Sequence, residues 1–126
     1  MKLLDSLFLT KELVASEEGV HAVLQTNPSH LIYKAHFPGN PITPGVCILQ
    51  IAGELLERAQ NRQVWLKSAK NLKFLSSIVP EEGKLIKYDF SYLAQTPQEC
   101  KVQVVVTDEK PVVCTKMTLV FSYERL

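Results

Sequence analysis

Residues 36–57, HFPGNPITPGVCILQIAGELLE, constrain the fold more than any other part of the chain. Three prolines and two glycines follow His36 closely, and they exclude regular structure over 38–43. From Pro44 onward, apolar residues recur at helical spacing, with Thr43 placed to cap the helix and Pro44 suited to its first position. The stretch therefore predicts a rigid turn followed by a helix that is buried on most faces.

Strand patterns flank this helix on both sides. Residues 19–27 place Val20, Ala22 and Leu24 on one side of an alternating run, which is the period of a half-buried strand. Residues 30–37 alternate in the same way after an Asn-Pro-Ser turn. Further strand patterns follow the helix over 64–78, 84–95, 100–108 and 112–123. Because short turns join these last runs, we expect each to pair antiparallel with the next.

These elements give an order of two strands, one buried helix and then further strands, while residues 4–15 fit a short helix or an edge strand. A long, curved antiparallel sheet wrapped around one helix would cover the apolar faces of that helix, which predicts an α+β architecture. The chain has 126 residues, of which 46% are apolar, enough for a sizeable core. We therefore expect residues 1–126 to form one domain.

The charge balance excludes some classes of partner. The chain has 14 Lys and Arg against 13 Asp and Glu, without a run of like charge, so we expect no nucleic-acid partner. Its most apolar runs are broken by charged residues such as Glu54, Glu57 and Arg58, so we expect no membrane-spanning segment. We also find no metal-ligand spacing, phosphate loop or nucleotide motif, and we expect neither a metal nor a cofactor.

The cysteines and the N-terminal residues bear on the compartment. Cys47, Cys100 and Cys114 are an odd number of cysteines without a C-x-x-C pair, which is typical of reduced, buried thiols. The first residues, MKLLDSLFLTKELVA, are only weakly similar to a signal peptide, since Asp5 interrupts the apolar run and charged residues stand where cleavage would occur. A cytoplasmic protein is the expectation.

The run HFPGNPITPGV resembles the signature H-F-P-G-x-P-I-x-P-G-V of the β-hydroxyacyl-acyl-carrier-protein dehydratases of fatty-acid synthesis. KFLSSIVPEEGKL (73–85) is similar to the strand and turn of that family, K-F-x-x-P-V-x-P-G-D-x-L. The resemblance covers about residues 19–123, and the first 18 residues lack the family's H-R-x-P-F-L-L-V-D segment. It implies the hot-dog fold, in which the curved sheet wraps around one long central helix, and a hydro-lyase that converts 3-hydroxyacyl thioesters to trans-2-enoyl thioesters.

Such a dehydration needs a base for the C2 proton, a donor for the charge on the thioester oxygen and an acid for the leaving hydroxyl. A neutral histidine at His36 is a suitable base at cytoplasmic pH. The helix beginning at Pro44 leaves free N–H groups, and Gly45 lets a carbonyl approach them. The resemblance implies the same roles, His36 as base and the Gly45 amide as carbonyl donor, and places Phe37, Pro44 and Val46 at the substrate.

The acid is where this chain departs from the family. The resembling enzymes carry Glu or Asp fourteen residues after the histidine, and this chain has Gln50 there. Glu54 follows where many of these enzymes have Gln, so the usual E-x-x-x-Q order is exchanged. Residues four apart share a helix face, and they are displaced along its axis by about 6 Å. The candidate catalytic residues are therefore His36, Gln50 and Glu54.

Three interpretations of this exchange stay open. Glu54 could serve as the acid, directly or through a water, if burial keeps it protonated. Gln50 could instead orient the hydroxyl or a water while His36 returns the proton itself. Alternatively, the site has lost dehydration, and the protein is a thioesterase or a non-catalytic subunit that binds acyl thioesters. A carboxylate at a dimer rim, paired with a lysine or arginine, is the structural alternative for Glu54.

The resemblance also implies partners. The family builds its site between two protomers, with the histidine from one and the helix carboxylate from the other, so we expect a homodimer joined edge to edge, with higher assembly left open. An apolar tunnel along the helix would hold the acyl chain. An acidic acyl carrier protein could dock on a patch of basic residues, although the spacing of these residues also fits the solvent-exposed face of a strand. The patch comprises Arg58, Arg62, Lys67, Lys70 and Lys73.

Three other reactive side chains are expected to be structural. Cys47 lies near the helix N-terminus, where the pKa of a thiol can fall, but nothing supplies a second base for it, so core packing is favoured. His21 falls on a predicted strand and His30 at a turn, without a motif around either.

Overall fold

A computed structural model describes residues 1–35 and 38–126, so His36 and Phe37 lie outside the described residues. Within this part of the chain, two strands are followed by two helices and then by four strands. Their bounds are β1 Phe8–Ala15, β2 Gly19–Thr26, α1 Ile32–Ala35, α2 Gly45–Gln60, β3 Trp65–Phe74, β4 Leu85–Gln95, β5 Glu99–Asp108 and β6 Val113–Ser122. The predicted fold class is confirmed, because the strands form an antiparallel sheet with one long helix against it.

The sheet has the strand order β1-β2-β4-β5-β6-β3. Tight turns join β4 to β5 and β5 to β6, as their short gaps predict, and a further tight turn joins β1 to β2. The expected pairing of β3 with β4 is wrong, because β3 pairs antiparallel with β6. The connection over 75–84 is too long for a tight hairpin, and the N–H groups of Leu75 and Ser76 bond to the carbonyl of Cys114 on β6. β3 therefore forms an edge of the sheet.

The predicted strand over 30–37 is also wrong for its described part. A turn leads into the short helix α1, because the N–H of His30 bonds to the carbonyl of Asn27 at 3.1 Å, and the N–H of Tyr33 bonds to the carbonyl of His30 at 3.2 Å. The segment forms these local hydrogen bonds instead of a strand, because no neighbouring strand among the described residues pairs with it. Positions 36 and 37 of that prediction lie outside the described residues.

The long helix α2 confirms the prediction from helical spacing. Its cap differs from the expectation: Pro44 occupies the N-cap itself, and no side chain caps the helix. Thr43 instead shares a 2.9 Å hydrogen bond between its hydroxyl and that of Tyr33, which uses the group that was expected to cap. Among the described residues, no helix is both long and apolar enough to cross a membrane.

The core lies between α2 and the concave face of the sheet. One face of the helix is buried there, and the fully buried Tyr88 on β4 donates a 3.0 Å hydrogen bond to the carbonyl of Ile48. Buried apolar residues alternate with exposed polar residues along the strands. On β5, for example, Val102 and Val104 are buried, whereas Lys101 and Gln103 are exposed. The sheet thus covers one side of α2 and leaves the side that begins at Val46 uncovered, with Val46 itself 71% exposed.

The N-terminal residues complete the cover of the helix. Of the two alternatives for residues 4–15, the edge strand is confirmed, since β1 occupies 8–15. The residues before it pack along α2 and bury Leu3, Leu4 and Leu7 in the core. This segment, residues 1–7, brings backbone groups to the helix face that carries Gln50 and Glu54.

Candidate functional site

Within residues 1–35 and 38–126, the N-terminus of α2 presents free backbone donors, as the sequence predicts. The first N–H groups bonded within the helix are those of Cys47 and Ile48, which both bond to the carbonyl of Pro44, at 3.0 and 3.3 Å. The N–H groups of Gly45 and Val46 precede them, and no acidic side chain stands in the first turn. A developing negative charge would therefore meet two N–H groups and the positive end of the helix here.

Phe74 borders this helix end. A Cβ built on Gly45 would lie 2.5 Å from Cζ of Phe74, so only glycine allows the ring to approach this closely. Both residues line a cavity of about 370 Å³ together with Thr43, Pro44 and Ile48. The Phe74 ring is 52% exposed in the described chain, so it can move away from a ligand that enters this cavity.

Gln50 and Glu54 form a hydrogen-bonded pair, and this pair holds the N-terminal segment. The carboxylate of Glu54 accepts hydrogen bonds from the backbone N–H of Leu4 at 2.8 Å and of Leu3 at 3.0 and 3.1 Å. The Nε2 of Gln50 donates to Oε2 of Glu54 at 2.8 Å and to the carbonyl of Met1 at 2.7 Å. Glu54 is buried, whereas Gln50 is exposed.

The next turn of the helix holds the same segment by ion pairs. Arg58 contacts Asp5 at 2.9 Å and donates to the hydroxyl of Thr10 at 3.1 Å. Lys2 lies 3.9 Å from the carboxylate of Glu57. These exposed pairs contribute little each, on the order of 0–1 kcal/mol, so the buried bonds of Glu54 dominate the attachment.

A second cavity runs along the uncovered side of α2. Its volume is about 660 Å³, and its lining is largely apolar, with Lys2, Gln50, Glu54 and Glu57 as polar members. The apolar lining comes from α2, β3 and β6: Val46, Leu49, Trp65, Leu66 and Phe121. The structure thus brings Val46, Gln50 and Glu54 to this cavity, whereas Pro44 and Gly45 line the smaller one.

His36 and Phe37, the predicted base and a predicted substrate contact, lie outside the described residues. The other two histidines make local contacts, as expected. His21 Nδ1 lies 2.6 Å from a carboxylate oxygen of Asp89 on the neighbouring strand. His30 Nδ1 accepts a 3.1 Å hydrogen bond from the N–H of Ile32 at the start of α1.

The predicted basic patch is partly neutralised. Lys67 pairs with Glu99 at 2.8 Å, and Arg58 pairs with Asp5. The Arg62 guanidinium lies 3.6 Å above the ring of Tyr123. Lys70 and Lys73 remain exposed on the edge strand β3. Among the described residues, no group of three His, Cys, Asp or Glu side chains is placed to hold a metal ion.

Cys47 is buried beside the helix N-terminus, and burial raises the pKa of its thiol. The cause is desolvation of the thiolate, which disfavours the charged form. The core-packing interpretation of this residue is supported.

We expect Cys47 to resist alkylation in the folded protein at neutral pH. A raised pKa lowers the thiolate fraction, and burial blocks access, so labelling should be at least about tenfold slower than in the denatured chain. Mass spectrometry of iodoacetamide-treated protein, digested after the reaction, measures this for each cysteine. Rapid native labelling at Cys47 alone, with Cys100 and Cys114 protected, would contradict the core assignment.

Sequence reasoning missed Leu3, Leu4 and Phe74 as parts of the site. The K-F pair at 73–74 was a usable signal for Phe74, because it belongs to a recognised strand motif. No pattern in the sequence pointed to the N–H groups of Leu3 and Leu4, which lie fifty or more positions from Glu54.

The antiparallel sheet curved around α2, with cavities at the helix N-terminus and along its open side, defines a hot-dog-fold protein. The dehydratase heterocomplex ApeI:P from Xenorhabdus doucetiae superposes with a TM-score of 0.76 at 12% identity, covering 91% of this chain and 97% of that one. A hypothetical thioesterase with coenzyme A from Streptococcus pneumoniae superposes with a TM-score of 0.66 at 14% identity, covering 93% and 85%. These identities show the fold alone.

The sequence itself decides the family. The family model described as ApeI dehydratase, ApeI-like, matches residues 12–116, and the chain belongs to this dehydratase family. The 3-hydroxyacyl-acyl-carrier-protein dehydratase FabZ of Latilactobacillus sakei is 27% identical over 113 residues, which are 82% of this chain and 81% of that protein. FabZ of Acetivibrio thermocellus is 32% identical over 82 residues, which are 60% of this chain but only 55% of that relative. The resemblance found in the HFPG motif is thereby confirmed.

Proposed function

We propose that this protein dehydrates 3-hydroxyacyl thioesters, carried by an acyl carrier protein, to trans-2-enoyl thioesters in fatty-acid or related lipid synthesis. The observation that carries the proposal is the open N-terminus of α2 at Gly45, six residues after the HFPG run, in a chain that belongs to a dehydratase family. His36 takes the C2 proton, and the Gly45 N–H binds the thioester oxygen as negative charge develops on it. One such donor contributes about 2.7–4 kcal/mol to the transition state.

The leaving hydroxyl sets the second part of the mechanism. The C2–H electron pair forms the C2=C3 bond, the C3–O bond breaks, and the departing hydroxide takes the proton held by His36, which gives water and a neutral imidazole. We assign the proton to His36 rather than to Glu54, because both Glu54 oxygens accept hydrogen bonds from N–H donors. Gln50, which cannot donate a proton at neutral pH, orients the hydroxyl.

A thioesterase is the second candidate, and Gln50 is the observation that favours it. An amide oxygen can accept a hydrogen bond from a water molecule and hold it near a carbonyl, without a carboxylate acid for the C3 hydroxyl. The hypothetical thioesterase from Streptococcus pneumoniae, which shares this fold, holds coenzyme A. Loss of both activities, with retained binding of acyl thioesters, is the non-catalytic alternative.

The products separate these candidates. A 3-hydroxyacyl-carrier protein is incubated with the purified full chain and examined by intact mass spectrometry. We expect the acylated carrier to lose one water, with the thioester intact. Release of the free carrier with a hydroxy acid would establish the thioesterase instead. An unchanged, bound carrier would mean that the chain only binds acyl groups.

We also propose a homodimer of cytoplasmic location, with the site completed between protomers. Gly45 and Gln50 line different cavities of one chain, which is the separation that a site shared by two chains would have. Exposed apolar side chains follow the free edge of the sheet, a pattern typical of interaction surfaces. They are Leu66, Leu72, Phe74 and Leu75 on or after β3, with Val46 beside them on α2.

Val46→Glu is expected to shift the protein from dimer to monomer, because a charge placed on an exposed apolar interface must be desolvated on association. Val14→Glu is the matched control: Val14 is 49% exposed on β1, at the opposite edge of the sheet. Sedimentation velocity of the three proteins at equal concentration makes the comparison. A monomeric parent would contradict the homodimer. The protein would then be mixed with other hot-dog subunits to find a partner, as in a heterocomplex.

A further inference from the structure

The amide of Gln50 has a defined polarity. Its Nε2 lies 2.7 Å from the carbonyl oxygen of Met1 and 2.8 Å from a carboxylate oxygen of Glu54. Neither acceptor can donate a hydrogen bond to a carbonyl when Glu54 is ionised, so the NH₂ group must face both of them. The inverted amide would place Oε1 against two oxygens. Oε1 of Gln50 therefore points away from the pair, and no donor among the described residues contacts it.

Glu54 dominates in setting this polarity. Its carboxylate is buried, and the backbone N–H groups of Leu3 and Leu4 hold it in one orientation. Met1, by contrast, is almost fully exposed, so its carbonyl can shift without disturbing the core. The chain of contacts thus runs from the N-terminal backbone, through Glu54, to the amide of Gln50.

We propose that Glu54 is a positioning residue that locks Gln50 with its Oε1 toward the 660 Å³ cavity, so that the site selects a 3-hydroxyl group and rejects a 3-oxo group. A 3-hydroxyl donates a hydrogen bond to Oε1, whereas a 3-oxo group is an acceptor and would meet another acceptor. A site that hydrogen-bonds one substituent of a ligand rejects an analogue that leaves the bonding group unpaired. This inference rests on the proposed function, because it assigns the C3 substituent to Gln50.

The test uses paired ligands that do not react. Amide analogues of 3-hydroxyacyl-pantetheine and 3-oxoacyl-pantetheine, with nitrogen in place of the thioester sulfur, are titrated into the full-length protein by calorimetry. For the parent protein we expect the 3-hydroxy analogue to bind about tenfold more tightly than the 3-oxo analogue. The hydroxyl forms one hydrogen bond to Oε1, whereas the oxo group leaves that acceptor unpaired.

In Glu54→Gln, we expect this preference to fall to about one. The new amide must turn its oxygen to the N–H groups of Leu3 and Leu4, so its NH₂ faces Gln50 and drives the Gln50 amide to invert. Glu99→Gln is the matched control. Glu99 lies on β5, pairs with Lys67 and does not line the 660 Å³ cavity, so its substitution should leave the preference unchanged. An unchanged preference in Glu54→Gln, or equal binding of both analogues by the parent, would overturn the proposal.

Gln50→Met is the second variant, and it keeps the test decisive should Glu54→Gln fail to fold. It leaves the bonds from Glu54 to Leu3 and Leu4 in place and removes only the amide, which is exposed. We expect it to bind both analogues with similar affinity. Retention of the tenfold preference in this variant would show that another group reads the C3 substituent.

The outcomes also separate this inference from the proposed function. Selective binding without turnover of a 3-hydroxyacyl-carrier protein would sustain the assignment of Gln50 and Glu54, and would refute the dehydratase. Turnover without selective binding would sustain the dehydratase and refute the assignment of Gln50 and Glu54. Binding of neither analogue, together with absence of turnover, would refute both.

Discussion

Replacement of His36 by alanine is expected to lower kcat/KM for dehydration by a factor of about 10²–10⁴, the usual contribution of a general base. The expectation is stronger here than in a site with a separate acid. In our proposal the same imidazole takes the C2 proton and returns it to the leaving hydroxide, so its loss removes both transfers. The measurement is the rate of enoyl-carrier formation by the parent and by His36→Ala.

His21→Ala is the control for this substitution. His21 pairs with Asp89 on the surface of the sheet, so its loss tests whether removal of any histidine disturbs the protein. We expect parental activity from that variant and equal thermal unfolding temperatures for all three proteins. Near-normal dehydration by a folded His36→Ala would exclude His36 from the mechanism, and would return attention to Glu54.

Local patterns predicted most of the fold. The apolar spacing after Pro44 indicated α2, and alternation indicated β2, β4, β5 and β6, because both signals depend on residues close together in the chain. The alternation over 30–37 misled for the same reason: it carries no information about whether a neighbouring strand is present. The placement of β3 beside β6 depends on a long connection, whose path no periodicity encodes.

The residues of the candidate site also differ in whether a local pattern could predict them. The HFPG motif indicated Gly45 and Gln50, since a recognised spacing fixes their places on one helix. The surroundings of Glu54 could not be predicted, because its partners are the backbone N–H groups of Leu3 and Leu4, which every residue type except proline possesses. Its position one turn from Gln50 suggested an acid, whereas the contacts show a carboxylate that accepts on both oxygens.

Gly45→Ala is expected to reduce kcat/KM for dehydration by about 10²-fold, comparable with the loss of an oxyanion donor. The new methyl group would crowd the approach of the thioester carbonyl to the N–H of residue 45. It would also lie 2.5 Å from Cζ of Phe74, so the ring must move within the same cavity. Stability should change little. Alanine in place of glycine favours a helix by about 1 kcal/mol, and the half-exposed ring can turn aside at modest cost.

A double variant shows whether the loss arises at the carbonyl site or at the ring. In Gly45→Ala/Phe74→Ala the contact between the methyl group and the ring no longer exists, so any strain from that contact is relieved. We expect dehydration to stay low, because the methyl group still crowds the approach to the N–H of residue 45, while the unfolding temperature stays close to that of Phe74→Ala. Recovery of activity to the level of Phe74→Ala would instead show that the displaced ring caused the loss. The N–H of residue 45 would then remain accessible beside the methyl group, and glycine would be required at this position only for the room that it leaves for the Phe74 ring.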